Sequence, residues 1–358
     1  MLRLPLVATV LSFASFASSR SAVPSPPPAP VAPPAPPRVT VQSVGGNALL
    51  FAVHAVSDRV VWASGTGGTV LRTTDGGTTW TRRAVPGGDS LQFRDVHAFS
   101  ADTAFVLAIG NGDASRIYRT VDGGASWTET FRNTDPAAFY DCFTFPDRRT
   151  GIVYGDAANG RTYVLRSVDG GLSWSLLPVT AVPAPLEGEG AYAASGRCVV
   201  HGDARTVYIA TGGPGSRLFV STDAGATFAV RETPFARAAS AGTSGLAFRD
   251  ARVGIGVAGD MTNLRGDTLT AVVAVTTDGG ATWTRRARPP LPGALTGVTW
   301  VPDAGAETIV AAGFGGVFSS DDGGRTWHVI TDAGHAGLDA HGRTAWVGGR
   351  GIVTRLDW

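Results

Sequence analysis

One nine-residue phrase, "RTTDGGTTW" at 72–80, returns five more times with small changes: "RTVDGGASW", "RSVDGGLSW", "VSTDAGATF", "VTTDGGATW" and "FSSDDGGRTW". A catalytic residue set is needed once, so a phrase used six times marks architecture. Its aspartates are Asp75, Asp122, Asp169, Asp223, Asp278 and Asp322, spaced 47, 47, 54, 55 and 44 residues apart. A repeat of about 40–50 residues filled with strand signals is one four-stranded blade of a β-propeller. The filling at 92–131 reads "QFRDVHAFS", "TAFVLAIG", "SRIYRTV" and "SWTETF", four short strands separated by turn residues, with no amphipathic helical period. Calling these strands A to D from the axis outward puts the repeated phrase at the C–D hairpin.

Hairpin physics explains its residues. An aspartate accepts hydrogen bonds from backbone N–H groups of its own turn. The second glycine takes positive φ, and hydroxyl residues tie the two arms. The tryptophan gives the turn an apolar foot. Five of the nine tryptophans hold that place, and Phe228 takes it in the fourth copy. Known calcium loops use a different ligand spacing, so the "DGG" turns read as structure.

Six copies do not limit the ring to six blades. After Trp327, "HVIT" completes the sixth blade, and "AGLDAH", "RTAWVGG" and "GIVTRLDW" repeat the A, B and C pattern. "RTAWVGGRGIVTRL" aligns with "RVVWASGTGGTVLRT", placing Trp346 where Trp62 stands in blade one. The missing outer strand is supplied by "RVTVQSV" at 38–44. The expectation is an all-β, seven-bladed propeller of four-stranded antiparallel blades, the last closed by the N-terminal strand, which removes an exposed edge.

Ahead of that strand, residues 1–22 have the layout of a secretory signal peptide: Arg3, then "LPLVATVLSFASFAS", then small residues. The apolar run is too short for a comfortable membrane span. Residues 23–37, "VPSPPPAPVAPPAPP", form a proline-rich linker. The propeller occupies 38–358, and the chain is expected to be secreted or periplasmic and monomeric. A net charge of +1 with 16% charged residues gives no electrostatic footprint for nucleic acid or anionic lipid.

The six turns place the chain among BNR/Asp-box proteins by resemblance. "FRDVHAFSADTAFVLAIGNGDASRIYRTVDGGASW", "GEGAYAASG" and "SAGTSGLAFRD" are more closely similar to the bacterial proteins related to the photosystem II stability/assembly factor. Over residues 40–358 that resemblance implies a seven-bladed propeller acting in assembly or binding rather than catalysis. The box also occurs in sialidases and other glycosidases, so it specifies fold more than function.

In such a ring the D–A and B–C connections share one face, and the boxes lie on the other. The two long periods come from "VTAVPAPLEGEGAYAAS", a D–A connection, and "GDMTNLRGDTL", a B–C connection. Both fall on the face opposite the boxes, where long loops of a repeat fold make a binding surface. The binding residues expected there are Arg94, Arg116, Tyr140, Glu189, Arg197, Arg237, Asp260 and Arg265. Arginine forks would hold an acidic or C-terminal segment of a protein partner in the cell envelope, or an acidic sugar.

A glycosidase needs two carboxylates across a sugar, and Glu189 with Asp260 is the best pair the chain offers. The early Arg-Ile-Pro signature of sialidases is absent, as are a Gly-x-Ser-x-Gly elbow, a P-loop, a Cys-x-x-Cys and a dinucleotide fingerprint. No cofactor is implied. His54 and His97 occupy equivalent inner-strand positions and are not expected to converge on one ion, and the other histidines lack ligand spacing, so no metal site is read. Cys142 and Cys198 are likewise equivalent, in "YDCFTF" and "GRCVVH". Set a blade spacing apart, beyond the roughly 7 Å Cα limit of a bridge, they are expected to be two buried free thiols.

Overall fold

A computed structural model describes Leu2, residues 36–270 and residues 272–358. The signal-peptide reading and nearly all of the proline-rich linker lie outside the described residues. Ala35–Trp358 form one compact unit.

Strand alternation and turn chemistry resolve into seven four-stranded antiparallel sheets. Their inner strands are Leu50–Ala55, Gln92–Ala98, Tyr140–Thr144, Val199–His201, Ala241–Phe248, Leu295–Trp300 and His335–His341. Each inner strand pairs with the next strand in sequence, and so on outward, which makes six of the sheets uninterrupted meanders. The seventh combines His335–His341, Thr344–Gly349 and Ile352–Asp357 with Arg38–Ser43 as its outermost strand. Arg38 pairs with Asp357 and Ser43 with Ile352, so the two ends of the ring are locked by one ladder. The ring therefore closes as the sequence predicts. Among the described residues the single helical element is the 3₁₀ turn Gly112–Ala114.

The core lies between blades. Trp62 and Trp346, both fully buried, stand opposite His54 and Asp339 in their respective sheets, which confirms the predicted equivalence. Arginines on the third strands lie over second-strand aromatics in a repeated pattern: Arg72 on Trp62 at 5.6 Å, Arg119 on Phe105 at 5.8 Å and Arg355 on Trp346 at 5.5 Å. The guanidinium stem covers apolar surface while its head reaches the neighbouring turn.

All six repeated turns use one hydrogen-bond set. In the first, Asp75 Oδ1 accepts from Thr73 Oγ1 at 2.8 Å and Thr79 N at 2.9 Å, and Oδ2 accepts from Thr79 Oγ1 at 2.7 Å. Gly77 N donates to Thr73 Oγ1 at 2.9 Å. These donors hold Asp75, Asp122, Asp169 and Asp278 down to about 2. Both positions after the aspartate take positive φ, not only the second. In the fourth turn the first of them is Ala224 at φ 60°, a backbone region that costs a residue with a Cβ on the order of 1 kcal/mol.

The cysteines overturn the thiol expectation: Cys142 and Cys198 form a disulfide with Cα atoms 5.9 Å apart. Their equivalence holds, since Cys142 sits opposite Tyr154 and Cys198 O accepts from Ala210 N, each partner four residues after a threonine. What failed was the distance. Inner strands converge toward the axis, so equivalent residues of neighbouring blades come within bridging range there.

Candidate functional site

The two long connections project from the expected face, between Ser175–Leu176 and Val199–His201 and between Gly254–Asp260 and Val273–Thr276. They do different things. The first turns inward and fills the axis. Ala191 N donates to Asp156 Oδ1 of blade three at 2.9 Å, and Tyr192 Oη accepts from Gly213 N of blade four at 3.1 Å. Ala193 O accepts from Arg94 Nη1 of blade two at 3.1 Å, and Ser195 Oγ donates to Thr296 O of blade six at 2.6 Å. Arg197 O accepts from Leu246 N of blade five at 2.9 Å. The Arg197 guanidinium crosses to blade seven, donating to Leu338 O at 2.9 and 3.1 Å and pairing with Asp339. Residues 190–197 thus bind six blades and plug the channel. Glycine is required in this plug: a Cβ on Gly190 would stand 2.1 Å from Asp156 Oδ1, and one on Gly196 2.4 Å from Asp95 Oδ1.

Glu189 anchors the root of the plug. It is buried and accepts from Leu186 N at 3.0 Å, Thr211 Oγ1 at 2.7 Å and Arg217 Nε at 2.8 Å, with a second contact to Arg217 Nη2. This pairing raises Arg217 above the usual guanidinium range. Next to it lies a second acid group. Asp141 and Asp156 face each other, and burial lifts both carboxyls above the ordinary carboxylate range. The nearby Asp156 carboxyl adds to the lift of Asp141. The buried Tyr154 hydroxyl close to these carboxylates has no hydrogen-bond partner among the described residues.

The remaining sequence-predicted site residues spread over several environments. Arg94 lies 3.5 Å over the Phe51 ring, and burial pushes it down to about 10. Tyr140 is in the core, against Phe131 and Tyr163. Arg116 pairs with Asp113 at 3.1 Å, and Arg237 pairs with Glu232. Asp260 Oδ1 accepts from Thr262 N at 2.9 Å and Thr262 Oγ1 at 2.7 Å, which lowers the carboxyl. Arg265 is exposed on the blade-five connection with no ion pair among the described residues. Glu189 and Asp260 share no hydrogen-bond partner: Glu189 is tied to Thr211 and Arg217 of blade four, and Asp260 to Thr262 of its own connection.

Beyond the plug, on the A–B side, a cavity of about 390 Å³ opens along the axis. The ends of the inner strands line it, with His54, His97, His201, Arg197, Asp339 and Trp300 among its walls. The His54 and His97 rings are 4.3 Å apart, closer than rotational equivalence suggested and for the same reason as the cysteines. Burial lowers all three imidazoles, His201 to about 4, so they are neutral near pH 7. Among the described residues no group of three or more His, Cys, Asp or Glu is arranged to hold a metal ion. Sequence reasoning missed this cavity and the Asp141–Asp156 pair. The available signal was an acidic residue within an apolar inner strand, as in "FRDVHAF", "YDCFTF" and "GLDAH".

No protein-family model and no curated sequence matches the chain. Solved structures do. "YCF48 bound to D1 peptide" superposes with a TM-score of 0.64 at 14% identity, covering 89% of this chain and 97% of that one. YCF48 from Cyanidioschyzon merolae gives 0.62 at 18% identity, covering 88% and 98%. The GH74 xyloglucanase from Xanthomonas campestris gives 0.62 at 17% identity, covering 88% of this chain but 52% of the enzyme. The chain shares the seven-bladed propeller fold of YCF48, photosystem II assembly factor, along nearly that protein's whole length, and of about half the length of a GH74 enzyme.

Proposed function

We propose that this chain is a secreted or periplasmic, non-enzymatic propeller that binds a protein partner of the cell envelope through its D–A/B–C face, as an assembly or scaffold factor. One observation carries the reading: a single propeller matches nearly the whole of YCF48, a protein solved with a peptide bound, whereas it matches about half of the GH74 enzyme. The local chemistry agrees. Both Glu189 oxygens are engaged by Arg217, Leu186 N and Thr211 Oγ1, and Asp260 is lowered by its own turn, so neither is placed to act as a general acid. Of the residues expected on that face, Arg237 and Arg265 are exposed.

The GH74 likeness favours one alternative, a carbohydrate-binding or carbohydrate-cleaving propeller with Glu189 and Asp260 at its centre. Affinity capture from an envelope extract, with residues 38–358 as bait, separates the two. A protein retained by this bait and lost by an Arg237→Ala/Arg265→Ala variant supports the docking face. Retention of a glycan alone, or its shortening, overturns the proposal in favour of the alternative.

A further inference from the structure

The plug divides the axis, so the A–B cavity is closed on the side of the long loops by Ser195, Gly196 and Arg197. Its volume of about 390 Å³ is within the range of small-molecule pockets, roughly 300–1,000 Å³. Much of its wall is apolar: Val53, Val96, Phe143, Val200, Phe248 and the Trp300 ring.

A few polar groups converge within this lining. His97 is 8% exposed and its imidazole makes no hydrogen bond among the described residues, although it lines the cavity. It is held in place by rings, with Phe99 at 5.1 Å and Phe145 at 5.2 Å. Opposite Thr144 Oγ1, His201 Nδ1 sits at 3.0 Å, which leaves its Nε2 free. At the rim the Arg249 guanidinium lies 5.3 Å over the Trp300 ring and donates to Ala306 O; its nearest carboxylate, Asp250, is 3.8 Å away.

Of the two arginines in the wall, only one has a carboxylate partner there. Arg197 is matched by Asp339, while Arg249 has only the loose contact with Asp250 outside the lining. The other acid of the lining, Asp95, is turned to the backbone instead: its two oxygens accept from Val96 N and Phe143 N, each at 2.8 Å.

We propose that this cavity is a ligand site distinct from the loop face, taking a small organic carboxylate with an apolar body. The carboxylate meets Arg249 at the rim and a neutral imidazole N–H below it, while the body packs on Trp300, Phe143 and Phe248. Arginine suits the carboxylate, and a mostly apolar pocket with few polar contacts suits the body. The inference rests on the cavity alone and is independent of what the loop face binds.

The test uses the full chain and three probes of one shape: 3-phenylpropionate, 3-phenylpropanamide and 3-phenylpropylamine, followed by ligand-observed NMR and calorimetry. The carboxylate is expected to bind with a dissociation constant on the order of 1 mM or tighter, and at least about tenfold better than either analogue. Arg249→Met and His97→Phe are each expected to weaken it by about tenfold with an unchanged melting temperature. The histidine variant keeps a ring among Phe99 and Phe145, so folding and binding are read separately. The Arg237→Ala/Arg265→Ala variant, altered on the opposite face, is expected to bind the probe normally. Equal binding of the amide, no effect of Arg249→Met, or binding of Zn²⁺ without binding of the carboxylate overturns the proposal.

Discussion

Joining Cys142 to Cys198 spans 56 residues of chain, including all of blade three beyond its inner strand and the whole plug. Both cysteines are fully buried, packed with Ile152, Tyr154, Val199, Ile209 and Phe219. Chain-entropy reasoning for a loop of that length removes about 14 cal/mol/K from the unfolded ensemble, or about 4 kcal/mol at 25 °C. Cys142→Ala/Cys198→Ala is therefore expected to lower unfolding stability by about 4–5 kcal/mol, the excess coming from the void left by two sulfurs. Alanine is the informative choice, because serine would add unpartnered hydroxyls to an apolar cluster. Guanidinium unfolding, followed by circular dichroism and tryptophan fluorescence, measures the difference where both probes give one coincident transition. Thiol titration of the denatured, unreduced protein is expected to find no reactive thiol. Two free thiols would remove the bridge itself. A loss below about 1 kcal/mol would show that the ring already confines these strands without it.

Other consequences follow from the same geometry. Glu189→Ala leaves Arg217 with Ala184 O in place of a carboxylate, and is expected to cost about 3–5 kcal/mol, read as a lower unfolding midpoint and faster proteolysis within 184–197; unchanged stability and cleavage would contradict the anchoring role. Asp75, Asp122, Asp169 and Asp278 of the repeated turns are expected to titrate together near pH 2 by carboxyl ¹³C NMR, below the usual carboxylate range. Since their folded values are depressed, the stability they supply is complete above the unfolded value near 4 and is lost as pH falls toward 2. Titration near 4 would mean that the turn hydrogen bonds do not persist in solution.

Much of the architecture was legible because a propeller writes itself locally. The repeated turn carries its own donors, acceptors and left-handed positions, so Asp75 through Asp322 could be counted and the strands between them placed. The place of the strand at 38–44 beside Ile352–Asp357 followed from the same count, because antiparallel pairing leaves one edge to fill. Even the insertion face was legible, since strand order alone decides which connections share a side.

What the chain meets at the axis was not legible, because contacts there join residues as far as 142 positions apart, as in Arg197 with Asp339. Equivalence by rotation is a sequence property, but separation depends on radius, and the inner strands lie close enough to bridge Cys142 to Cys198 and to bring His54 against His97. The segment "GEGAYAASGR" read as a surface loop for the same reason: its polar and small residues suit exposure equally well, and only the channel left by seven converging strands gives them partners. Sequence determined the number of blades, the turns and the closure. Tertiary structure alone decided that one loop would seal the axis from one face and leave a cavity with a largely apolar wall open to the other.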